Sequence, residues 1–198
     1  MGLWHVYYED WQMECCGTPF SVGDEVSWPL LLRDSGTAPG GGRHDRLTEI
    51  TGFVEHVGGV RMVRAETGLP VALGADLADE ARRPEPGGRT RSVGLLCVER
   101  HGAKWPEARG HVRAVQVLTR MWAETAPGSR SYEPVPGEHR LRTVDRCPKW
   151  FGEIEAEPSA DGRGRRSRAS RVVVTLDVPG TDSPLSPPAG RARRCRGS

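Results

Sequence analysis

The chain is almost without lysine. Among its 28 basic residues only Lys104 and Lys149 are lysines, and the rest are arginine. The one glycine-rich run, Gly40-Gly41-Gly42, therefore lacks the Lys-Ser/Thr pair that completes a phosphate-binding loop. Long apolar stretches are also missing. No segment reaches the roughly 18 apolar residues of a membrane span, and the start, Met1-Gly-Leu-Trp-His-Val, has neither a basic opening nor an apolar core of a leader peptide. Cysteines number five, an odd count, and no two are spaced Cys-x-x-Cys. That excludes the usual zinc half-site and the usual dithiol redox motif. Together these absences predict free thiols in a reducing, cytoplasmic setting.

What the chain has in excess is glycine and proline, 25 and 16 of 198 residues, about a fifth where about 12% is average. This composition favours short strands and many turns over long helices. Charge is uneven. Residues 1–60 hold three arginines against nine acids, whereas residues 162–198 hold nine arginines against two. The contrast predicts a folded body, residues 1–178, and a disordered basic tail, 179–198, with disordered loops at about 34–46, 82–91 and 157–170. The arginine content itself reads as codon usage of a GC-rich genome.

Hydrophobic alternation places strands at 3–8, 26–30, 48–57, 93–99, 111–122, 141–144 and 171–178. Val26, Trp28 and Leu30 fall on one face, and Pro29, without an N–H, marks an edge or an end. Residues 75–81 are expected to make a helical turn or two, and 127–138 a loop. Arg171–Val178 is so apolar that it must complete the same sheet rather than hang from a linker. Gly52-x-Val54-x-x-Val57 and Gly110-x-Val112-x-x-Val115 share a pattern that reads as two similar strands, each entered through a bend-permitting glycine. The expected fold class is therefore all-β in the main, a small β-barrel with long loops. Val22-Gly-Asp-Glu-Val-Ser-Trp28 is similar to the opening of SH3-like barrels, a likeness of fold that implies no function.

The run Trp11-Gln12-x-x-Cys15-Cys16-Gly17-x-Pro19-Phe20-x-x-Gly23-x-x-Val26-x-Trp28 resembles the signature of an uncharacterised actinobacterial domain-of-unknown-function family. The likeness extends over roughly residues 3–178 and implies domain extent and origin, with no assigned activity.

Candidate binding residues are Trp11, Cys15, Cys16, Phe20, Trp28 and His101. Trp11, Phe20 and Trp28 would make either an aromatic platform or the core of a small barrel. Cys15 and Cys16 are adjacent, and in a strand adjacent side chains point to opposite faces. They therefore read as structural thiols unless one of them joins Cys97, Cys147 or a histidine such as His101. His101 has no placed nucleophile beside it, so no catalytic set is expected, and no metal or cofactor. The sequence is read first as a non-enzymatic binding or interaction module with a protein partner on the Trp11–Trp28 segment. Two alternatives stand beside it: a metal- or thiol-dependent protein centred on Cys15 and Cys16, and non-specific nucleic-acid contact through Arg163–Arg171 and Arg191–Arg196.

Overall fold

The computed structural model of the chain describes residues 2–34, 46–77, 87–152, 154–159 and 162–182. Its strands are β1 (Gly2–Glu9), β2 (Glu25–Trp28), β3 (Leu30–Arg33), β4 (Thr48–Val57), β5 (Val60–Ala65), β6 (Pro70–Leu73), β7 (Arg89–Val98), β8 (Ala108–Glu124), β9 (Tyr132–Val144), β10 (Glu155–Glu157) and β11 (Arg165–Val178). One helix, α1 (Asp10–Cys16), follows β1, and a short 3-10 turn covers Ala75–Leu77. Among the described residues no helix is long and apolar enough to cross a membrane.

The strands run in the order β2-β8-β11-β1-β7-β3-β6-β5-β4, and β4 returns to pair with β7. That closure makes a five-stranded barrel of β7, β3, β6, β5 and β4, from which β1, β11, β8 and β2 continue as a sheet. β9 adds to β8 and β10 to β11. The expected mainly-β barrel is what the chain forms. Pro29 sits where the chain leaves the β2–β8 pair and enters the barrel as β3, consistent with its missing donor.

Alternation explains the core. Trp4, Val6 and Tyr8 of β1 and Val172, Val174, Leu176 and Val178 of β11 share one buried cluster with Trp28, Leu30, Ile50, Val63, Leu96 and Val112. The opposite face of the same strands carries a smaller cluster, Tyr7, Leu95, Cys97 and Val173.

Several expectations require correction. Residues 165–170, read as disordered because they are Arg- and Ser-rich, are strand, paired with β8 and in part with β10. Their outward side chains are solvated arginines, which lowers the hydrophobic content although every residue but Ser170, at a bulge, is paired with β8. Arg89–Arg91, assigned to a loop, open β7 and pair with β4. Tyr132–Glu138, also assigned to a loop, open the largely exposed β9. Pro179–Asp182 were assigned to the tail, yet Thr181 is buried and its hydroxyl accepts from Trp4 Nε1 at 2.9 Å. β5, β6 and β10 lie outside the strands expected from the sequence. The remainder of the 34–46 and 82–91 loops and of the tail, at 35–45, 82–86 and 183–198, lies outside the described residues.

The Gly52 and Gly110 echo has a different cause from the one expected. Neither has a positive φ. Each lies where a neighbouring backbone comes too close for a side chain: a Cβ on Gly52 would strike the Arg64 carbonyl, and one on Gly110 would sit 2.5 Å from the Asp177 carbonyl oxygen. Gly110→Ala should therefore destabilise the fold by about 1–3 kcal/mol, the usual range for overpacking. Urea denaturation reads this as a lower midpoint with unchanged slope.

Candidate functional site

The only helix among the described residues carries the candidate site. Asp10 opens α1, and its carboxylate accepts from the Trp11 backbone N–H at 2.8 Å, where an acid suits the helix dipole. At the other end Lys149, one of the two lysines, donates from Nζ to the carbonyls of Met13 (2.7 Å) and Gly17 (3.0 Å). A cation on the last carbonyls is the complementary arrangement. Glu14 adds a tie by accepting from Phe151 N at 3.2 Å.

Helical periodicity then sorts the side chains. Gln12 and Met13 face inward and are buried. Gln12 is the hinge of the site: its Nε2 donates to Val98 O at 3.1 Å and its Oε1 accepts from Arg100 N at 2.8 Å. A buried amide so satisfied clamps α1 to the end of β7 and to the loop that follows it. Trp11 and Cys15, one turn apart, face outward over that loop. His101 lies beneath them. Its ring centroid is 5.2 Å from that of Trp11, and its Nε2 is 3.6 Å from Cys15 Sγ. Its backbone N–H donates to Glu99 Oε1 at 2.7 Å, which shapes the turn.

Cys16 completes the corner. The ligand atoms of Cys15, Cys16 and His101 all lie within 4.8 Å of one another, and all three residues are exposed. The opposite-face argument fails because Cys15 and Cys16 occupy the last turn of a helix, where successive side chains diverge by about 100° rather than 180°. Cys16 Sγ tucks back to the Gln12 carbonyl at 3.4 Å. Partial desolvation there, and then the neighbouring Cys15 thiol, push the Cys16 pKa up from its ordinary value.

The other expected site residues are placed elsewhere. Phe20 and Trp28 are 4% and 3% exposed and belong to the core, where they pack edge-to-face at 4.9 Å with Tyr8 stacked beyond Phe20 at 6.1 Å. They do not form a platform with Trp11, which remains 47% exposed on the helix. Cys97 and Cys147 are buried and take no part in the corner. The clamp residue Gln12 stood in the motif without a role. Its only signal was a polar residue between Trp11 and Met13, one helical turn before Cys16.

Burial pushes the Cys97 and Cys147 thiols and the Tyr8 hydroxyl up to about 12, from ordinary values of 9.0, 9.0 and 10.0. The folded chain keeps these protons in alkali, while the unfolded chain releases them. Their contribution is therefore complete below about pH 9 and is lost as pH rises towards about 12. The urea midpoint should fall between about pH 8 and about pH 10.5, and less so in Cys97→Val.

The molecule is thus a strand-dominated protein, a closed barrel continued by an open sheet, with a thiol–imidazole corner on its single described helix. The chain belongs to the family of unknown function DUF6578, which matches residues 2–178. No curated protein and no solved structure matches it.

Proposed function

We propose that the chain is a non-enzymatic metal-binding module that holds a thiophilic ion, with zinc as the reference case, between Cys15, Cys16 and His101. The observation that carries this reading is the convergence of two sulfurs and one imidazole nitrogen within 4.8 Å. Zinc–sulfur bonds of about 2.3 Å and zinc–nitrogen bonds of about 2.0 Å imply tetrahedral edges of about 3.5–3.8 Å. The Cys15–His101 separation of 3.6 Å already has that length. Cys16 needs only a side-chain rotation that exchanges its contact with the Gln12 carbonyl for the ion. The donors are soft, which favours zinc or monovalent copper over magnesium or calcium.

Support also comes from rigidity. The Gln12 clamp and the Lys149 cap hold α1 and the 99–102 loop in register, so two ligands next to each other in sequence and one 86 positions from Cys15 are presented together. Three protein donors leave one tetrahedral position for solvent or an exogenous ligand.

The reading is tested by equilibrium dialysis of the reduced full-length protein against zinc. One ion per chain is expected, with about two protons released per ion at pH 7 as the thiols ionise. Absence of stoichiometric zinc, in a protein that remains folded, overturns it.

A further inference from the structure

The outer face of β8 and β11 carries a second group of functional side chains, contributed by residues far in sequence from Cys15, Cys16 and His101. β11 enters the sheet through Arg165-Arg166-Ser167-Arg168. Ser167 is buried, 3% exposed, so Arg166 and Arg168 project from the other face. Across the ladder Arg166 is paired with Trp122 and Arg168 with Arg120. Tyr132, the first residue of β9, lies beneath Arg166, whose guanidinium carbon is 3.8 Å from the ring centroid.

Tyr132 is held in place. Its hydroxyl donates to Glu124 Oε1 at 3.3 Å. The same carboxylate accepts from the backbone N–H groups of Gly164, Gly128 and Arg130, and these bonds, Gly164 first, hold its pKa below the ordinary value. Glu124 is thereby turned to amides and not to the arginines. Between these groups opens a cleft of about 230 Å3 lined by Trp122, Tyr132, Ile154, Arg166 and Arg168.

The charge beside this cleft is positive and incompletely matched. Arg168 pairs with Asp10 at 3.1 Å. Arg166 has no carboxylate partner among the described residues, only the Tyr132 ring. Further along the same face lie Arg120 and Arg171, 7% and 2% exposed, and one nitrogen of each is buried without a hydrogen-bond partner. Glu9 and Asp10 are the carboxylates that face these guanidinium groups.

We propose that the cleft binds a planar aromatic ring bearing an anionic group. The ring packs against Trp122 and the Arg166–Tyr132 stack, where a guanidinium already lying flat on an aromatic face presents its own flat surface to a second ring. The anionic group takes the edge N–H donors of Arg166 and Arg168. An aromatic carboxylate and a nucleoside monophosphate share this chemistry, and the cleft volume accommodates one ring system of either kind.

The test is a titration of the full-length protein followed by two-dimensional 15N NMR, with the Trp122 indole N–H assigned from its loss in Trp122→Phe. The probes are indole-3-acetate and AMP, with indole and adenosine as their neutral counterparts. At least one anion should shift the Trp122 signal saturably. Its neutral counterpart should bind weaker by about tenfold or more, and Arg166→Ala should reduce affinity by at least as much. Because Arg166 is exposed, the remaining resonances report that this variant stays folded. Saturation by AMP alone assigns a nucleotide, by indole-3-acetate alone an aromatic acid, and by both a site that reads ring and charge only. A Trp122 signal unmoved by either anion, neutral rings that bind as tightly, or an Arg166→Ala protein of undiminished affinity would each overturn the proposal.

Discussion

Glu9→Gln should destabilise the protein by about 3–5 kcal/mol, the range for breaking a buried ion pair from one side. Arg171 Nε lies 2.7 and 2.8 Å from the two oxygens of Glu9, and both residues are buried. The pair stands beside Arg120, whose pKa is pushed down to about 10 by burial first and by the charge of Arg171 second. Removing the Glu9 charge leaves two buried guanidinium groups repelling each other across the β8–β11 ladder. Arg171→Met strands the Glu9 carboxylate but relieves that repulsion on Arg120. Its cost should therefore be the smaller of the two, and the double variant should recover part of the Glu9→Gln loss. Urea unfolding of the four proteins measures this order. Equal costs for the two single variants would mean that Arg120 does not feel Arg171.

The second large effect is on the metal corner. Cys15→Ser, Cys16→Ser and His101→Ala should each weaken zinc binding by more than about a hundredfold, since even an outer-shell partner is typically worth 10–100-fold. Folding should be spared, because all three residues are exposed and outside the core cluster. Cys97→Val should leave zinc affinity unchanged, since that thiol is buried in a cluster with Tyr7, Leu95 and Val173 and is not among the three converging donors. Because the Cys16 thiol is raised above its ordinary value, zinc must displace a proton that is firmly held at neutral pH. Affinity should therefore climb with pH through the neutral range, and less steeply in Cys16→Ser. Isothermal titration at two pH values and in two buffers of different ionisation enthalpy gives both the affinity and the proton count.

The barrel was legible where strands alternate cleanly. Gly2–Glu9, Thr48–Val57 and Arg171–Val178 are buried on one or both faces and so show the period of two or a continuous apolar run. Legibility failed where a strand is solvated. Tyr132–Arg140 is largely exposed, and Arg165–Ser170 carries arginines outward, so neither has a hydrophobic signal although most of their residues pair with β8; only the 141–144 end of β9 shows through. The helix was hidden for another reason. Seven residues, Asp10–Cys16, are too few to show a helical period, and α1 is held by tertiary contacts of Gln12 and Lys149 rather than by propensity.

The same limit governed the site. Cys15, Cys16 and His101 were each visible as candidates, and a histidine joining the pair was among the readings. Their meeting, however, depends on Gln12 reaching Val98 and Arg100, a contact across 86 and 88 positions that no local pattern encodes. Phe20 and Trp28 show the converse. Their types suit a stacking surface as well as a core, and only the closure of the sheet over them decides for the core.

Cobalt(II) titration of the reduced full-length protein, followed by absorption spectroscopy, reports ligand identity and geometry together. One equivalent should produce the intense visible bands of a tetrahedral ion and a near-ultraviolet sulfur-to-metal charge-transfer band, and the combined Cys15→Ser, Cys16→Ser variant should show neither. A pale octahedral spectrum from the unsubstituted chain, or tetrahedral thiolate bands that persist in the double variant, would contradict a metal held at the end of α1.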